Sequence, residues 1–188
     1  GVVNVVTRRG SQDGWIAEAG YGAYDTKRAS LNGGVGLGQS AALDVGVSWT
    51  DSDGFPTRAT DDIDRGYDNL SANVALRADV GAAEVTVQHW RTAGTSEYSD
   101  FFLAPVDQDY VTSTTAAEVR LPVGAASEAR VSVNHLEDEI QQNQSPDFLE
   151  TDRDTLDAQY DWQLSKVHGL GVGAMYSRER ARSESYGE

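Results

Sequence analysis

The sequence predicts an all-β chain, an antiparallel up-and-down meander that forms part of a transmembrane β-barrel. Three observations lead there. Apolar residues alternate with small or polar ones at period two along nearly the whole length. The alternating stretches run about ten residues each, the length of a tilted strand that crosses a bilayer. After the first bend the connections alternate short and long, as in a barrel with tight turns on one rim and long loops on the other. Strands with one wet face also occur in soluble proteins, so a soluble β-domain stays open at this point.

Taken in order, residues 1–10 (GVVNVVTRRG) read as a short valine-rich strand closed by two arginines and a glycine. Trp15, Ala17, Ala19 and Tyr21 then alternate with Ile16, Glu18 and Gly20. After a bend at Asp25 and Thr26, Ala29, Leu31, Gly33, Val35 and Leu37 oppose Ser30, Asn32, Gly34 and Gly36. A tight turn at residues 38–40 leads to Leu43, Val45, Val47 and Trp49. The same pattern returns in Leu70, Val74 and Leu76, then in Val85 and Val87. It continues in Ala117, Val119 and Leu121, and in Val131 and Val133. Two more strands carry Leu156, Tyr160 and Trp162, and Leu170, Val172 and Tyr176. Residues 92–110 and 137–154 are polar and acidic and read as long loops. Trp15, Tyr24, Trp49, Trp90, Tyr110, Trp162 and Tyr176 near strand ends suit interfacial aromatic girdles.

Composition narrows the partners. The 188 residues carry a formal net charge of -15, which argues against nucleic acid or an anionic surface as a partner. The chain has no cysteine, hence no disulfide framework and no thiolate metal site. No apolar run approaches the ~20 residues of a membrane helix. Neither an initiator Met nor a signal peptide is present, and the pattern starts and stops part-way, so a fragment of a longer chain is expected.

Residues 49–69 are the stretch that no core requires. There WTDSDGFPTRATDDIDRGYDN gathers Asp51, Asp53, Asp61, Asp62, Asp64 and Asp68 between two alternating strands. Carboxylates this crowded repel one another unless a cation or a ring of basic groups sits among them. The bland alternative is a solvated acidic loop.

Other motifs fail on context. Residues 36–41 (GLGQSA) fit G-x-G-x-x-A, but a strand rather than a helix follows, so a hairpin turn explains the glycines. Asp62, Asp64 and Gly66 echo an EF-hand start without its closing Glu or its helices. His89, His135 and His168 lie far apart, with no paired spacing for zinc. Glu137, Asp138 and Glu139 read as a solvated strand end, and no nucleophile elbow is present. No catalytic constellation emerges, and an enzyme is not expected.

The residues do match a known family. The segment GVVNVVTRRG resembles the last plug-domain strand of TonB-dependent outer-membrane receptors, usually of the form GGVINIITKKG. GYGAYDTKRASLNGGVG is similar to the first barrel hairpin of that family. SDGFPT and DDIDRGYDNLS, followed by TSEYSDFF, look most like its vitamin B12 (cobalamin) branch.

The resemblance implies that residues 1–10 end a plug domain and residues 11–188 begin the barrel, with about nine of about 22 strands present. It further implies active uptake of a small-molecule substrate, a corrinoid or other metal chelate, across the bacterial outer membrane. That uptake is energised by the TonB complex through a plug segment this chain lacks. In the cobalamin branch, aspartates of the second and third outer loops bind Ca²⁺. Matched motif to motif, Asp53, Asp62 and Asp64 fall in the second loop and Asp100 in the third, near Tyr98. Asp61 is an alternative to Asp53, because the loop is shorter here. Asp100 stands two residues from Tyr98 where the family has an adjacent Tyr-Asp pair.

Two other readings stay open. One is a siderophore receptor of the same family, although so acidic a rim would repel an anionic chelate unless calcium neutralised it. The other is a soluble calcium-binding β-domain with an adhesive or structural role.

Overall fold

The computed structural model describes residues 14–58 and 62–184. The expected plug strand at residues 1–10 and Asp61 lie outside these. Nine strands follow one another: β1 (Gly14–Tyr21), β2 (Lys27–Gly36), β3 (Ala41–Phe55), β4 (Arg65–Val80), β5 (Ala83–Ser99), β6 (Pro105–Pro122), β7 (Ser127–Gln142), β8 (Phe148–Gln163) and β9 (Gly169–Ser183). They form one sheet in sequence order, every neighbouring pair antiparallel. The first and last strands do not pair, so the sheet is open. No helix occurs among the described residues.

The register sorts side chains onto two faces. One cross-strand row on the first face reads Val35, Leu43, Leu76, Val87, Ala117, Val133, Leu156 and Tyr176. Above and below it on the same face lie Val45, Val74, Val119, Val131, Tyr160, Val172 and Trp162. The opposite face is polar, as a row five residues further along the strands shows. There one row reads Ser30, Ser48, Ser71, Thr92, Thr112, Asp138 and Thr151. The expected alternation therefore holds in these rows from β2 to β8.

No second layer covers either face. No hydrophobic residue among those described is buried, and Leu70, Val133 and Trp162 are each about half exposed. A sandwich would bury one of these faces against a second sheet.

The apolar face also runs obliquely to the register. Ala42 is level with Arg77, Thr86, Glu118, Ser132 and Asp157. The β2–β3 hairpin closes at Gly36 and Ala42, on this row. The β4–β5 hairpin closes at Val80, three residues beyond Arg77, and the β6–β7 hairpin at Pro122, four beyond Glu118. The β8–β9 hairpin closes at Gln163, six beyond Asp157. This rim therefore descends six residues over six strands. With ~3.3 Å per residue and ~4.8 Å between strands, one residue per strand corresponds to a tilt of about 35°. Aromatics follow the same slope. Trp49 stands six residues above Leu43, and Tyr176, six strands on, lies in the row of Leu43. Corrected for the slope, Trp49 and Tyr176 are level.

Two expectations need correction. The strands reach 8 to 18 residues rather than about ten. Residues 92–110 and 137–154, expected as long loops, are mostly the outer halves of β5 to β8, joined by short turns at residues 100–104 and 143–147. Connections at the two ends are therefore similar in length, apart from residues 56–64. Beyond the apolar rows both faces carry polar residues, so the hydrophobic alternation fades while the backbone ladder continues. Trp90 and Tyr110 also depart from the expected girdle. They sit on the polar face, where Tyr110 Oη accepts a 2.7 Å bond from Asn69 Nδ2.

Candidate functional site

The outer ends of β1 to β5 are locked together around the acidic stretch. Its key is a bulge in β3. Ser52 pairs with Tyr67 and Phe55 with Arg65, so β3 carries one extra residue there. Gly54 takes φ 73°, and a Cβ on it would stand 1.8 Å from the Arg65 carbonyl oxygen. Only glycine fits both that backbone and that approach.

The β1–β2 turn braces the bulge. Tyr24 and Asp25 adopt left-handed φ of 58° and 52°. The Tyr24 carbonyl accepts from Asp53 N at 3.1 Å and from Ser52 Oγ at 3.3 Å, and the Tyr24 and Phe55 rings lie 5.0 Å apart. Tyr21 Oη donates to Asp25 at 2.5 Å and Lys27 Nζ at 2.9 Å, so both hold that carboxyl below its usual range. Lys27 is raised in turn, mainly by Asp25.

Arg65 fastens the β3–β4 connection to the end of β5. Its side chain is 6% exposed. The guanidinium donates to the carbonyls of Ile63 and Asp64 at 2.8 and 3.0 Å, and to Ser99 Oγ at 2.9 and 3.1 Å. Glu97 accepts from Gly66 N at 2.9 Å.

Between these ties lies an open cleft of about 340 Å³, lined by five carboxylates: Asp51, Asp53, Asp64, Asp68 and Glu97. Asp51 and Asp68 are direct cross-strand partners, a repulsive pairing that Lys27, 3.8 Å from Asp51, offsets in part. Asp51, Asp68 and Glu97 continue the parity of Trp49, Leu70 and Ala93, so the cleft opens on the apolar-belt side of the sheet.

Of the residues expected to hold Ca²⁺, Asp53 and Asp64 line this cleft and Asp62 and Asp100 do not. Asp100 closes its own turn, accepting from Ala104 N at 2.8 Å on Oδ1 and from Leu103 N at 3.1 Å on its carbonyl. Tyr98 donates to Gln142 on β7. Beyond it, Asp107 accepts from the side chains of Asn143 and Gln144, which hold its carboxyl below the usual range and join the β5–β6 and β7–β8 ends.

A second group was invisible in the sequence. His135 and Glu137 are alternate residues of β7, and Asp154 and Asp152 stand directly opposite them on β8. His135 Nδ1 lies 2.7 Å from Asp154 Oδ1, and its Nε2 lies 3.3 Å from Glu137 Oε1. The only signal was H-x-E on one strand and D-x-D on the next, and it becomes readable once the register is known.

Searches for relatives leave this geometry to stand alone: no family model matches the chain, and no curated protein matches it.

Proposed function

We propose that this chain is a stretch of barrel wall from a TonB-dependent outer-membrane transporter, one that takes up a corrinoid with Ca²⁺ ordering its outer loops. The observation that carries this reading is the oblique apolar belt. Ala41 and Trp49 bound it on β3, eight residues apart, with alternate positions between them apolar. That is about 26 Å along the strand and about 22 Å in height at the ~35° tilt, against a lipid-facing band of ~25 Å in outer-membrane barrels. A soluble protein has no reason to keep such a belt uncovered and tilted.

On this reading the apolar face meets lipid and the Ser/Thr-rich face meets the lumen. The TonB contact belongs to a segment outside this chain. The five-carboxylate cleft supports a cation at the outer rim, since hard oxygen donors in an irregular loop suit Ca²⁺ and its 6–8 ligands. A net charge of -15 favours an uncharged substrate over an anionic chelate.

The test is binding of labelled corrinoid to the full-length receptor in detergent, with Ca²⁺ and with chelator. Wild type is compared with an Asp53→Ala/Asp64→Ala double variant, both residues of the cleft. Chelation and the double substitution should each weaken binding, because ion and substrate tighten one another by linkage. Affinity indifferent to both would remove the calcium assignment. Binding of a ferric siderophore in place of the corrinoid would reassign the substrate.

A further inference from the structure

We infer that His135, Glu137 and Asp152 form a binding site for a divalent transition-metal ion of the zinc type, on the belt side of β7 and β8. One ligand atom from each of the three lies within 4.8 Å of the other two. The His135 Nε2–Glu137 Oε1 separation of 3.3 Å already matches the edge of a zinc tetrahedron, about 3.3 Å for bonds of about 2.0 Å. Rotation of the half-buried Asp152 carboxylate brings in the third ligand, and water completes the set.

Two neighbours orient the ligands. Asp154 engages His135 Nδ1 at 2.7 Å, which leaves Nε2 toward the ion. This is the carboxylate–histidine arrangement that fixes the tautomer of metal-bound histidines. Ser113 Oγ donates to Glu137 Oε2 at 3.1 Å, which leaves Oε1 for the ion. An imidazole nitrogen in the set selects zinc and its neighbours over calcium, which takes oxygen ligands alone.

Arg178 and Arg180 stand across from Asp154 and Asp152 on β9 and oppose a cation. At cross-strand spacing their charges lie inside the ~8 Å screening length and weaken the site, whereas the ligand bonds act at ~2 Å. Glu139 and Glu150, cross-strand partners one step further out, keep the patch acidic.

His135 is level with Trp49 on the sloping belt: it lies one step above the row of Val133, and β7 is four strands from β3. The ion would therefore clamp β7 to β8 where the apolar belt gives way to water. This inference rests on strand register and not on the transport reading.

The test uses the full-length chain folded in detergent micelles, titrated with Zn²⁺ alone against a chromophoric chelator. Wild type should take up one equivalent that Glu137→Gln and Asp152→Asn lose. Asp154→Asn should bind about 10- to 100-fold more weakly, the usual effect of removing a partner behind a ligand. Asp53→Asn/Asp64→Asn should keep the equivalent, which separates this site from the cleft. Co²⁺ on the wild-type chain reads coordination without any variant, and an intense tetrahedral visible spectrum is expected. A spectrum like that of aqueous Co²⁺, or wild-type zinc affinity in Glu137→Gln, would overturn the assignment.

Discussion

Replacing Val131 with arginine separates a lipid-facing belt from a wet one. Val131 is 45% exposed and lies on the apolar face of β7. At one residue of descent per strand it is level with Val45, midway between Ala41 and Trp49, and so at the centre of the belt. Arginine at a bilayer midplane costs about 2–4 kcal/mol in barrels. That corresponds to a loss of about 30- to 700-fold in the folding equilibrium, at about 1.4 kcal/mol per tenfold. Ser132 is its neighbour on the polar face, and Ser132→Arg should stay within about 0.5 kcal/mol, as exposed substitutions usually do. In water, both substitutions would be near neutral. The assay is urea titration of the full-length chain folding into lipid vesicles, followed by sheet circular dichroism. If Val131→Arg costs no more than Ser132→Arg, the belt does not face lipid and the reasoning fails.

Gly54→Ala should cost more than the ~1–2 kcal/mol of a left-handed backbone alone, because its Cβ meets the Arg65 carbonyl at 1.8 Å; hydrogen exchange at Asp53 N should quicken sharply, and unchanged exchange would count against the bulge. Arg65→Ala should release Ser99 and the Ile63 and Asp64 carbonyls and cost about 2 kcal/mol, the scale of bonds to a charged donor, read as accelerated exchange near Gly66 with the belt strands unaffected. Asp107 has a depressed carboxyl, so its contribution is complete above the ordinary value of 3.8 and is lost only as pH falls below it. Amide exchange at Asp107 and Asn143 should therefore stay slow through mildly acid pH and rise below that value, and a rise already near neutrality would contradict the pairing.

The alternation of Leu43, Val45 and Val47 with Asp44, Gly46 and Ser48 made the two faces legible, because a pleated strand sends successive side chains to opposite sides whatever its neighbours. In the sequence nothing singles out the glycine at position 54. Its role depends on how closely the Arg65 backbone approaches, which involves a residue eleven positions away. The far halves of β5 to β8 read as loops in the sequence because both of their faces carry polar residues, so no hydrophobic alternation marks them. The aspartates were legible as a cluster. Which of them converge was not: Asp53 and Asp64 line one cleft beside the bulge, while Asp100 turns back to cap its own hairpin.

By itself, then, the sequence determined the strand count, the antiparallel order and the apolar face, all of which follow from local periodicity and short connections. Register decided the rest. The slope of the belt, the level placement of Trp49 and Tyr176, and the tile of His135, Glu137, Asp152 and Asp154 all depend on which residue faces which across a hydrogen-bonded ladder. A shift of one residue exchanges the faces and disperses every one of these groupings, so no property of a single strand could have announced them.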